Sequence, residues 1–168
     1  MNRQPYQKPP RWWSPKLKRT WVHLWRPLRL RRQRKNQRLV KVAIEGQEQV
    51  RQAIDQGKGV LITPNHSSHA DGYALYAAAD TLDVPVYVMA CWQRFHRAGR
   101  LEQAILQQHG CFSVDREGTD MRAFRQSVSI LNEEPFPLVI FPEGDVYHTN
   151  ERLTPFREGA AAIAVAVS

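Results

Sequence analysis

Cysteine is scarce in this chain. Cys91 and Cys111 are the only two, too few for the disulfide framework of a small secreted domain and without metal-ligand spacing. Each borders an apolar run, where buried free thiols of a reducing compartment are expected. No C-x-x-C or H-E-x-x-H pattern occurs, so His66 and His69 are not read as a metal pair. Long apolar runs are missing as well. None approaches the length that spans a bilayer, and charges interrupt the N-terminal stretch where a signal peptide would carry its apolar core. Internal repeats and long low-complexity tracts are absent. Acid is missing from residues 1–41, which hold fourteen of the 24 Lys and Arg and no Asp or Glu.

The remaining residues carry ten basic against all 16 acidic side chains, or 10 − 16 = −6. The net +8 therefore belongs to a basic arm, 1–41, joined to a mildly acidic globular part, 42–168. At 168 residues and 19.4 kDa the length suits one domain with a real core. Such an arm seeks an anionic surface, nucleic acid or membrane. Trp12, Trp13, Trp21 and Trp25 are four of the five tryptophans. Ser14-Pro15 reads as a cap and first-turn proline opening a short helix that Pro27 ends or kinks. Trp21, Leu24, Trp25 and Leu28 follow i, i+3, i+4, i+7 spacing among Lys16, Lys18, Arg19 and Arg26. Tryptophan on an apolar stripe beside lysine and arginine suits the headgroup layer of a bilayer. Packing of the tryptophans on the chain's own domain, and stacking on nucleic-acid bases, are the alternatives.

Past the arm, periodicity predicts a helix over about 37–56, broken by Gly57-Lys58-Gly59. Strands are expected at 60–62, 85–90, 111–114 and 137–141. Helices are expected at 71–79, 100–108, 121–131 and 158–167. Apolar strands alternating with helices imply an α/β fold with a largely parallel sheet flanked by helices on both faces, preceded by the basic, Trp-rich helical arm. Ligands of such sheets collect beyond the carboxyl ends of the strands. His66 follows the first strand, Asp115-Arg116 the third, and Pro142-Glu143-Gly144 the fourth, so three chemically loaded loops meet at one edge.

His66 and Asp71 place an imidazole and a carboxylate five positions apart. A histidine can take a proton from a hydroxyl near neutral pH and release it later, and a neighbouring carboxylate fixes its tautomer. On spacing alone, a helix cap at Asn65 or Ser67 with Asp71 as a first-turn acid is the favoured explanation of the pair. The other loops add to it. Asn65, His66 and Asp71 match N-H-x-x-x-x-D. Gly110-Cys111-Phe112-Ser113-Val114-Asp115-Arg116 matches a glycine and an apolar run ending in Asp-Arg. Phe141-Pro142-Glu143-Gly144 matches F-P-E-G, and Pro155-Phe156-Arg157-Glu158-Gly159-Ala160-Ala161 a segment that follows it.

In these blocks, over roughly residues 58–168, the chain resembles the glycerophospholipid acyltransferase family. The resemblance implies an O-acyltransferase without a cofactor, in which His66, oriented by Asp71, is general base on the acceptor hydroxyl. The alkoxide would attack the thioester of acyl-CoA or acyl-carrier protein directly. Arg116 would hold the acceptor's phosphate, since a guanidinium offers forked, permanently charged donors, and Glu143 with the Gly144 backbone would help to bind the acceptor. A peripheral, monotopic position on the cytoplasmic face of a membrane is implied, with surface lipids as partners and no nucleic acid.

Two departures from the family stand out. Its third block continues with a hydroxyl residue, whereas here it reads Asp145-Val146-Tyr147-His148, and a carboxylate at 145 would repel phosphate. Glycerol-3-phosphate and lysophosphatidic acid are therefore not the expected acceptors. The family's fourth block, a proline in an apolar strand, would follow 156–167, and the sequence stops at Ser168, so a truncated acyltransferase is expected. Two alternatives accompany this reading: a non-catalytic lipid-binding remnant, and a nucleic-acid-binding protein acting through the arm.

Overall fold

The computed structural model of the protein describes residues 10–148 and 154–167. The first nine residues of the basic arm and Ser168 lie outside the described residues. The elements run α1 (Arg19–Asn36), α2 (Gln47–Asp55), β1 (Leu61–Ile62), α3 (Asp71–Leu82), β2 (Tyr87–Cys91), α4 (Trp92–His96) and α5 (Arg100–Gln108). Then come β3 (Cys111–Val114), α6 (Met121–Glu133), β4 (Leu138–Val139) and α7 (Gly159–Val167). Among the described residues the strands form one sheet in the order β1-β4-β2-β3, with every pair parallel.

The strands are apolar almost continuously because both faces are covered. Tyr87, Phe112, Leu138 and Ile140 point to one face and pack with Ala123, Ile130 and Leu131 of α6 and Ile163 of α7. Their sequence neighbours Val86, Val88, Cys111 and Val139 point to the other, against Ala79 of α3 and Trp92 and Phe95 of α4. That alternation is the two-residue period of a strand. Phe95, Phe112 and Leu138 are wholly buried, and truncating such a phenylalanine to alanine costs about 3–5 kcal/mol. Between α5 and β3 the chain turns at Gly110, whose φ of +81° suits glycine and whose missing Cβ leaves room for the Val86 carbonyl.

The N-terminal stretch departs from expectation at Ser14-Pro15 and over 37–56, and of the two outcomes expected at Pro27 it excludes the helix end. No helix opens at Ser14-Pro15. Instead Lys16 and Lys18 donate backbone hydrogen bonds to Gln107 and Gln108 (2.8 and 3.1 Å), and Ser113 donates to the Trp13 carbonyl (3.0 Å), so this segment runs extended until α1 begins at Arg19. Pro27 lies inside α1, which continues for nine residues beyond it. The helix expected over 37–56 is confined to α2, because Arg38 and Gly46 take positive φ (+53° and +72°), a conformation that interrupts a right-handed helix. The short α4 was not foreseen.

Trp13 is buried and stacks on Phe95 (5.3 Å, 14°), and Trp12 meets Phe112 (6.2 Å). Trp21, Leu24 and Leu28 of α1 instead face outward, at 36%, 65% and 41% exposure. The inner face of α1 carries Val22 and two polar residues: Arg29 pairs with Asp80 of α3 at 2.5 Å, both side chains under a tenth exposed, and Gln33 donates to the Tyr73 carbonyl at 3.0 Å. Among the described residues no helix is long and apolar enough to cross a membrane.

Candidate active site

The loop after β1 carries His66. Its Nδ1 lies 3.0 Å from Asp71 Oδ2, at the first residue of α3, where a carboxylate also favours the helix dipole. The same oxygen accepts from the Ser68 amide (2.8 Å), and Ser68 Oγ accepts from the Ala70 amide (3.1 Å). A carboxylate only accepts, so the pairing puts the imidazole proton on Nδ1 and leaves Nε2 as the lone-pair nitrogen. No described residue partners Nε2. The ring is stacked on Phe141 (4.1 Å, 26°), which limits its rotation.

The loop after β4, the next strand in the sheet, reaches back to this histidine. Glu143 is buried, and its Oε1 accepts from the His66 amide (2.8 Å) while Oε2 accepts from Thr154 Oγ1 (3.1 Å). The His66 carbonyl accepts in turn from the Tyr147 amide (3.2 Å). Gly144 adopts φ +72°, and a Cβ there would collide with the side chain of Arg157. Glycine is thus favoured here by its backbone angle, and its missing Cβ leaves room for the Arg157 side chain.

Arg116 stands after β3, two strand intervals from β4, or roughly 10 Å. Its length closes the gap: Nη1 donates to the Gly144 carbonyl and lies 3.5 Å from Asp145 Oδ1. Arg116 Nε is buried with no partner among the described residues. The loop is fixed by Asp120, the cap of α6, which accepts from the Arg122 and Ala123 amides through Oδ1 and from the Asp115 amide through Oδ2 (3.0, 3.0 and 2.9 Å). The Arg116 carbonyl accepts from Arg157 Nη1, and the Arg157 amide donates to the Pro142 carbonyl at 2.8 Å.

A cavity of about 1360 Å³ wraps the carboxyl edge of the sheet. Of the five sequence-chosen residues, His66, Arg116 and Gly144 line it; Asp71 and Glu143 stand behind, each holding the His66 loop. One part of the wall is largely apolar, formed by Leu28, Tyr76, Val88, Ala90, Ile105 and Leu106. Burial keeps that part neutral. It pushes the Cys111 thiol up to about 11, raises the Tyr76 phenol well above its usual value and lowers the His109 imidazole. Tyr76 donates to the His109 carbonyl at 3.0 Å and sits 3.1 Å from Cys111 Sγ.

The sequence reading assigned no role to Phe141, Ser68, Thr154 or Arg157. Phe141 and Arg157 belong to the blocks Phe141-Pro142-Glu143-Gly144 and Pro155-Phe156-Arg157-Glu158-Gly159, so their types were visible and only their contacts were hidden. Ser68 and Thr154 left no signal beyond being hydroxyl residues.

A family model described as Acyltransferase matches residues 41–168. Comparison with curated proteins and with solved structures finds no match.

Proposed function

The chain belongs to the acyltransferase family, and we propose that it moves a fatty acyl group from acyl-CoA or acyl-carrier protein to a hydroxyl of a (lyso)glycerophospholipid-type acceptor, with His66 as general base. The observation that carries this reading is the 3.0 Å pair between His66 Nδ1 and Asp71 Oδ2 at the wall of a large cavity. In the step, His66 Nε2 takes the proton of the acceptor hydroxyl as its oxygen attacks the thioester carbonyl. The new C–O ester bond forms, the C–S bond breaks, and the leaving thiolate takes the proton back from the imidazolium. Asp71 stabilises that imidazolium through Nδ1–H. No enzyme nucleophile is needed.

The remaining residues follow from their positions. The apolar wall suits the acyl chain. Arg116 offers the exposed part of its guanidinium to an anionic oxygen of the acceptor. Gly144 serves acceptor binding by holding Arg116 Nη1 on its carbonyl, and Glu143 by fixing this loop against His66. Outward-facing Trp21, Leu24 and Leu28, on a helix rich in arginine, suit a monotopic position on the cytoplasmic face of a membrane.

The test is acyl transfer from a long-chain acyl-CoA to lysophospholipid, comparing the wild-type chain with His66→Ala. General-base loss is expected to cost on the order of 10²–10⁴-fold. Transfer at the wild-type rate by the variant would remove His66 as base.

A further inference from the structure

We infer that the acceptor end of the cavity selects a head group bearing a cationic amine and discriminates against a phosphate monoester, with Asp145 as the selecting residue. The inference rests on the acyltransferase reading of the cavity and names the acceptor class for it.

Asp145 directly follows Gly144, lines the cavity, and keeps 64% of its side chain exposed. Its Oδ1 accepts from the Val146 amide at 2.9 Å and faces Arg116 Nη1 at 3.5 Å. Oδ2 has no partner among the described residues, so one carboxylate oxygen is left for a ligand. A carboxylate only accepts. An ammonium would donate to Oδ2, whereas a phosphate oxygen there meets a like charge.

The surrounding charge points the same way. From the β3 and β4 loops, α6 and α7, the cavity receives two guanidiniums, Arg116 and Arg157, and four carboxylates, Asp115, Asp120, Asp145 and Glu158, or 2 − 4 = −2. Neither arginine is free to give its whole fork. Arg116 Nη1 already serves the Gly144 carbonyl, and Arg157 Nη1 serves the Arg116 carbonyl. A phosphate monoester, close to dianionic near neutral pH, would meet more carboxylates than guanidiniums at this end, the other arginines of the lining, Arg29, Arg32, Arg94 and Arg97, standing on α1 and around α4. A head group with one phosphodiester charge and one ammonium fits: the anionic oxygen meets the exposed part of the Arg116 guanidinium, whose Nη2 has no partner among the described residues, and the ammonium meets Asp145 Oδ2.

The experiment uses the full chain and a long-chain acyl-CoA. Lysophosphatidylethanolamine and lysophosphatidic acid are presented at equal mole fraction in phosphatidylcholine vesicles, with Asp145→Asn, Asp145→Glu and His66→Ala variants in parallel. The amine-bearing acceptor is expected to lead in kcat/KM by about three- to fivefold, the scale of a charge contact at a solvent-exposed carboxylate. Asp145→Asn should collapse the ratio, mostly through KM, and Asp145→Glu should restore it. A purely structural role for Asp145 would scale both acceptors together and leave the ratio unmoved. His66-dependent transfer that prefers the monoester, or a ratio unchanged in Asp145→Asn, overturns the inference and leaves the acyltransferase reading standing. Absence of transfer to either acceptor above the His66→Ala background overturns both.

Discussion

On the β1 side of the cavity His66 is held at four points: Nδ1 by Asp71, its amide by Glu143, its carbonyl by the Tyr147 amide, and its ring face by Phe141. On the β3 side Arg116 spans the sheet on a single side-chain hydrogen bond to Gly144. Its Nε is unpartnered, and its ion pair with the exposed Asp145 is loose. On the proposed function the difference follows from what each end would have to do. A proton-transfer group loses rate with small misplacement, so its geometry is over-determined. A head-group contact needs spare donors and acceptors, and these are what the β3 side retains.

The comparison breaks most easily at the fixed end. Asp71→Asn keeps the volume but replaces an obligate acceptor with an amide, and so no longer dictates the His66 tautomer. A drop in kcat on the order of 10²-fold is expected, with KM for the acceptor little changed. Steady-state kinetics of the variant check it, and a change confined to KM would place Asp71 in binding instead. A smaller effect is expected at the loose end. Arg116→Lys retains the charge but loses Nε and the fork, and about a tenfold fall in kcat/KM is expected, carried by acceptor KM. Titration of the acceptor at saturating donor reads this directly. A kcat effect as large as that of Asp71→Asn would erase the distinction between the two ends.

The smallest effect separates both ends from the stability of the scaffold. Burial holds the His109 imidazole below its ordinary value of 6.5 in the folded chain. As pH falls, the unfolded chain therefore takes up that proton first. The stabilising contribution is complete above the unfolded value and is lost as pH drops from there through the lower folded value. The wild-type Tm should decline between about pH 7 and 5 more steeply than that of His109→Gln. Parallel declines in the two proteins would remove His109 as the cause.

Much of this organisation was legible in the sequence. β2 and β3 showed as apolar runs between turn signals, and the helical pattern over 121–131 predicted α6, whereas its Asp120 cap emerged only with the fold. The three loops at one sheet edge followed from strand alternation alone. What the sequence hid were effects of tertiary contact. Ser14-Pro15 has the form of a helix start, but backbone hydrogen bonds to Gln107 and Gln108 hold the following residues extended. Pro27 has the form of a helix stop, yet α1 runs through it, anchored by Arg29 on Asp80 and Gln33 on Tyr73. Four tryptophans in one arm looked alike. Two are packed on the domain's phenylalanines and only Trp21 among the other two faces outward. The pairing of His66 with Asp71 was readable from spacing, whereas the grip of Glu143 on the His66 backbone spans 77 positions and required the fold.

Leu28 belongs to two surfaces at once, the exposed stripe of α1 and the lining of the cavity. Were α1 to rest on a bilayer as proposed, an apolar substrate would slide from the leaflet past Leu28 to the His66 loop without first dissolving in water. Turnover would then follow how crowded the substrate is within the lipid plane, and diluting it with inert lipid would slow the enzyme even at constant bulk concentration.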